Sequence, residues 1–135
     1  MGAYHVGFDE NSDPEYVAFV EPVRSSRIAT YELIGHLDLA GADVTDASIK
    51  HIAKLKRVDV VHLTDTNITD DQLKMLAEIG GIQILRLNGS KVTDAAIPYI
   101  ASINGLISVD LSGTLITRDG VADLRRRVPS ITVAL

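Results

Sequence analysis

Leu39, Leu63, Leu87 and Leu111 stand 24 residues apart along the chain, and their surroundings repeat with them. The copies read HLDLAGADVTDASIKHIAKL, VHLTDTNITDDQLKMLAEI, LRLNGSKVTDAAIPYIASI and VDLSGTLITRDGVADLRRRV. Thr45, Thr69, Thr93 and Thr117 keep the same interval, as do Val44, Ile68, Val92 and Ile116. A fixed period of roughly 20–50 residues marks a solenoid of stacked repeats, in which each unit buries its apolar face only against its neighbours.

Within each copy the apolar period changes halfway. Ile34, Leu37 and Leu39 end in the Leu-x-Leu alternation of a short strand, whereas Ile49, Ile52 and Leu55 recur at three-residue steps, as on one helical face. The later copies repeat this: Val61 and Leu63 precede Leu73, Leu76 and Ile79; Leu85 and Leu87 precede Ile97, Ile100 and Ile103; Val109 and Leu111 precede Val121 and Leu124, with Val128 one place late. One strand and one helix per repeat, evenly spaced, predicts an α/β architecture of parallel strands near 36–40, 60–64, 84–88 and 108–112, with the helices on the other side. Gly41, Asp65, Gly89 and Gly113 follow the strands and suit a positive-φ exit turn. The four Thr residues stand where helix N-caps belong, Gln72 completes a capping box with Thr69, and Asp46, Asp70 and Asp94 suit the positive helix end.

The unit L-x-x-L-x-L-x-x-T-x-I-T-D-x-x-L-x-x-L-x-x-L resembles a leucine-rich repeat of the ribonuclease-inhibitor-like class, with 24-residue Thr-Asp-containing copies from about Ile34 to Leu135. It is most similar to the Thr-Asp bacterial repeats and to those of F-box-associated substrate receptors. The resemblance implies a leucine-rich-repeat solenoid, with the parallel sheet concave and the short helices convex, and it implies protein recognition. At the internal ladder position, usually Asn, Cys or Thr in that class, stand Ala42, Thr66, Ser90 and Thr114. Ala42 lacks a hydrogen-bonding side chain, so the first turn is expected to be loosely held. No F-box, kinase or ligase segment accompanies the repeats.

Residues 1–33 read as an N-terminal cap and residues 34–135 as the repeats with a C-terminal capping strand. In the cap, YHVGF and YVAFV form hairpin-like strands around DENSDPE, and a degenerate helix runs from Pro22 to Leu33. Five of the six aromatic residues, Tyr4, Phe8, Tyr16, Phe19 and Tyr31, lie in this segment, which suits a cap more than a ligand site. At the other end Ile131, Val133 and Leu135 alternate as a last strand, whose edge is either short enough to be harmless or a surface for weak homodimerisation.

A net charge of −5 argues against a general nucleic-acid or anionic-membrane binder. The chain has no cysteine, hence no disulfide framework and no cysteine-based zinc site. MGAYHVGFDE shows no signal-peptide pattern and no apolar run approaches a membrane span, so a cytoplasmic monomer or weak homodimer without cofactors is expected. Asp9, Asn11, Asp13 and Glu15 alternate like calcium-loop ligands, but Pro14 occupies the position of the loop glycine and no closing glutamate follows. Arg125, Arg126 and Arg127 end a helix where cations favour the dipole, which accounts for them without a phosphate.

If the strand leucines point inward, alternation turns their neighbours onto the concave face. One row is then Asp38, His62, Arg86 and Asp110, and the next is His36, Val60, Ile84 and Ser108. Neighbours in a row lie about 4.8 Å apart at the backbone, so Asp38 with His62 and Arg86 with Asp110 are expected to attract. Val60 and Ile84 place apolar area among charges, a modest signal of binding. His36, Asp38, Val60, His62, Ile84, Arg86 and Asp110 are therefore the expected partner-binding residues of a non-catalytic module. The alternative is an assembly protein that pairs through its terminal strand or cap. A small hydrolase using His62 beside Asp38 ranks third, because an open sheet face supplies no oxyanion site. His36, His62 and Asp38 could gather around a metal, but sequence fixes no third or fourth ligand among them, and no metal site is assigned.

Overall fold

The computed structural model describes residues 16–18, 33–55 and 57–135, with side chains from residue 35 onward. Its strands are β1 (Tyr16–Ala18), β2 (Leu33–Asp38), β3 (Arg57–His62), β4 (Ile84–Arg86), β5 (Ser108–Asp110) and β6 (Thr132–Ala134). They form one parallel sheet in chain order. Helices α1 (Asp46–Ile52), α2 (Asp70–Leu76), α3 (Ile97–Ser102) and α4 (Arg118–Arg127) connect consecutive strands from β2 onward, and a 3-10 turn at Asp94–Ala96 leads into α3. The α/β solenoid expected from the repeats is the fold. β1, drawn from YVAFV, joins the sheet beside β2; YHVGF, DENSDPE and most of the expected helix from Pro22 lie outside the described residues.

The 24-residue period of the sequence is the register of the sheet. Leu37 pairs with Val61, Val61 with Leu85, Leu85 with Val109 and Val109 with Val133. All of these but Val133 are completely buried, as are Leu39, Leu63 and Leu87. Ile49, Ile52, Leu73, Leu76, Ile97, Ile100 and Leu124 close the core from the helical side. Each such side chain contributes about 1.5–3 kcal/mol by leaving water. The regular strands stop two residues earlier than expected, at Asp38, His62, Arg86 and Asp110. Backbone bonding nevertheless runs on, since the N–H of Leu39, Leu63 and Leu87 donates to the carbonyl of His62, Arg86 and Asp110 at 2.8, 2.8 and 2.9 Å.

Each turn after a strand passes through the left-handed region at Gly41, Asp65, Gly89 and Gly113, with φ of 71, 53, 76 and 69°. Asp65 does so against the steric preference of a residue with a Cβ. Behind the turn, the hydroxyls of Thr66, Ser90 and Thr114 donate to the carbonyls of Leu63, Leu87 and Leu111 at 2.8, 2.6 and 2.7 Å. Ala42 lacks that second donor, yet it is buried and its N–H donates to the Leu39 carbonyl at 2.9 Å, so the backbone closes the first turn.

The Thr-Asp pair joins repeats as well as capping helices. Thr45, Thr69, Thr93 and Thr117 are all N-caps, and the Thr69–Gln72 capping box is complete. The Asp70 carboxylate accepts the N–H of Thr93 at 2.9 Å and its hydroxyl at 2.7 Å. Asp94 receives Thr117 in the same way, at 2.8 and 2.6 Å. Asp46 instead accepts the Gln72 side-chain amide at 2.8 Å. Each cap hydroxyl that donates to an Asp accepts from its own helix, Thr93 from Ala95 and Thr117 from Gly120.

Leu87→Ala should lower stability by about 2–5 kcal/mol, the usual cost of a large-to-small change at a fully buried site; an unchanged denaturant midpoint would contradict this register. Asp70→Ala and Thr93→Val should each destabilise, and a double-mutant cycle should show a coupling of about 1 kcal/mol, moderated by solvent. Additive effects would mean that the bridge between repeats carries no energy.

Candidate functional site

The concave face is built by strand alternation and the common register. His36 pairs with Val60, Val60 with Ile84, and Ile84 with Ser108. Asp38 pairs with His62, His62 with Arg86, and Arg86 with Asp110. The structure therefore brings all seven expected residues into two adjacent rows. Arg86 is exposed, and the other six are half-buried by their neighbours in the rows. A third row continues past the strand ends, where the Thr64 hydroxyl donates to the Asn88 side-chain oxygen at 2.9 Å.

The expected attraction between Arg86 and Asp110 does not form a direct ion pair. The Asp110 carboxylate turns past the end of β5 and accepts both the N–H of Ser112, at 3.0 Å, and its hydroxyl, at 2.5 Å. A hydroxyl two residues away on the same rigid backbone is a nearer partner than a long guanidinium that must give up its own freedom. Ion pairs do join Arg57 to Asp59 and Arg126 and Arg127 to Asp123. Two of the three helix-end arginines are thus engaged on their own helix.

At the β2–β3 end the groups gather more tightly. The His36 and His62 rings meet edge-on, with centroids 4.4 Å apart and planes inclined by 68°. Asp38 accepts the N–H of Ala40 at 3.0 Å, which holds its carboxylate over the end of the strand. One ligand atom each from His36, Asp38 and His62 lies within 4.8 Å of the others. The sequence places these three residues in adjacent rows; the edge-on approach of the rings is visible only in three dimensions. His62 titrates below the ordinary imidazole value, because burial disfavours the charged ring and His36 and Arg86 add repulsion, while Asp38 pulls the other way.

A hollow of about 550 Å³ lies away from these histidines, lined by Asp65, Thr66, Asn67, Ile68, Thr69, Asp70, Gly89 and Lys91 along the turns of adjacent repeats. Among the described residues no helix is long and apolar enough to cross a membrane.

No family model matches the sequence, and no curated protein matches it. A solved structure, that of a leucine-rich-repeat (LRR) protein from Leptospira interrogans, matches the fold with a TM-score of 0.56 at 17% identity, over 76% of this chain and 25% of that one. This chain therefore spans about a quarter of that protein's length, and the likeness establishes a leucine-rich-repeat-like fold.

Proton NMR of the histidines in metal-free buffer should give a His62 midpoint below the ordinary value of about 6.5. Asp38→Asn should lower it further, since it removes the group that favours the charged ring. A base whose folded pKa is depressed contributes its stability fully above the unfolded value. That contribution shrinks as pH falls through the folded one. A midpoint at or above the ordinary value would contradict the charge arrangement.

Proposed function

We propose that this chain is a non-catalytic protein-recognition module of the ribonuclease-inhibitor-like leucine-rich-repeat type. Its concave face, through His36, Asp38, Val60, His62, Ile84, Arg86 and Asp110, is the surface that meets a protein partner. The observation that carries the reading is the pairing of half-buried Val60 and Ile84 at the middle of the face, with Arg86 exposed beside them. Apolar area at the centre supplies affinity, and the surrounding charges set orientation. Arginine is also enriched among the residues that dominate interface energetics. Neither hollow among the described residues is lined by His62, and catalysis would need a position beside it where a substrate could lose its water, so we read this face as one for recognition.

A second reading has its own observation. β6 is an outer strand of the described sheet, and Leu135 beside it is 64% exposed. Assembly through that edge would give a homodimer, and light scattering of the intact chain across a concentration series separates it from a monomer.

The main reading is tested with a photo-crosslinking residue at position 84 and, as a control, at exposed Lys50 on α1. A partner should cross-link from 84 and not from 50. A chain carrying Val60→Ser, Ile84→Ser and Arg86→Ala should keep its fold and bind that partner at least about tenfold more weakly, since truncating central contacts often costs ~2 kcal/mol or more. Binding of this triple variant as tight as that of wild type would move the site to the helices or to the N-terminal segment.

A further inference from the structure

We propose that His36, Asp38 and His62 form a binding site for a divalent transition-metal ion, of the two-histidine, one-carboxylate kind that suits Zn2+. His36 and Asp38 are two residues apart on β2 and share its concave side, and His62 is the register partner of Asp38 on β3. Their ligand atoms lie within 4.8 Å of one another. Zinc holds imidazole nitrogen and carboxylate oxygen at about 2.0–2.2 Å, which puts tetrahedral donors roughly 3.3 Å apart. The two rings stand with centroids 4.4 Å apart, so the ion would draw together donors that are already neighbours.

The frame around the three groups is fixed. The N–H of Leu39, next to Asp38, donates to the carbonyl of His62 at 2.8 Å, so the strands cannot slide apart at this point. The bond from the Ala40 N–H to Asp38 at 3.0 Å orients the carboxylate, as outer hydrogen bonds orient metal ligands. Two neutral imidazoles and one carboxylate are borderline donors that favour Zn2+ over Mg2+ or Ca2+, which take sets of oxygens. All three residues are half-buried on an open face, so a fourth position points to water or to an incoming side chain. Arg86, the register partner of His62, carries a positive charge that works against the ion.

The test is isothermal titration of the full, untagged chain with ZnCl2 at neutral pH, with MgCl2 and CaCl2 as comparisons. One Zn2+ per chain should bind, and Mg2+ and Ca2+ should not compete. His36→Ala, His62→Ala and Asp38→Asn should each weaken binding by about tenfold or more. His51→Ala should leave it unchanged, and Zn2+ should raise the melting temperature of wild type. His62→Gln covers the case in which His62→Ala fails to fold. Arg86→Ala should tighten Zn2+ binding severalfold, the opposite sign to its effect on a protein partner, so the two proposals can fail independently. Absence of saturable binding at millimolar Zn2+, or binding insensitive to both His36 and His62, would overturn the site.

Discussion

Everything in this chain depends on the lateral pairing of parallel strands whose partners are separated by one repeat. That register places Leu37, Val61, Leu85 and Val109 in a single buried column. A slip of one residue would turn the column to solvent and draw polar residues into the core. The turns, caps and helices inherit their positions from it. Stability is consequently a matter of neighbours: each repeat supplies one wall of a core whose other wall is the next repeat.

The Thr-Asp pairs hold the convex edge of the same register. A capping threonine alone would stabilise only its own helix. Because Asp70 receives both the N–H and the hydroxyl of Thr93, and Asp94 those of Thr117, each cap is fixed by the preceding repeat. Gly120 shows the constraint at close range, since a methyl group there would run into the Asp94 carboxylate. A side chain at this point of α4 would have to displace the carboxylate that receives Thr117.

The fold was legible because four copies of one pattern repeat its evidence: the Leu-x-Leu step, the positive-φ turn and the capping Thr agree at every interval. The turn at Asp65 was legible for the same reason, although Asp takes the place of Gly. The bridging role of Asp70 and Asp94 was not, because the helix dipole gives each Asp a sufficient local explanation and its partner lies 23 residues away. On the concave face, alternation and period put seven side chains in the right rows, but they do not say which way a carboxylate turns. Asp110 accepts from Ser112, two residues on in the turn after β5, and forms no ion pair with Arg86 across the sheet.

The recognition we propose for the concave face would draw on the stiffness of what lies under it. Val60 and Ile84 are β-branched, flanked by fully buried Val61 and Leu85, and carried on paired backbone. They have little conformational freedom left to lose when a partner covers them. Arg86 is the exposed exception, and an exposed guanidinium beside a fixed apolar pair could meet a partner's carboxylate while the apolar contact sets position. The imidazoles and the carboxylate at the β2–β3 end are held by the same paired backbone, at spacings set by the sheet. A rigid sheet thus presents two chemically different regions on one surface: an apolar centre that favours desolvated contact and a polar end whose donors converge.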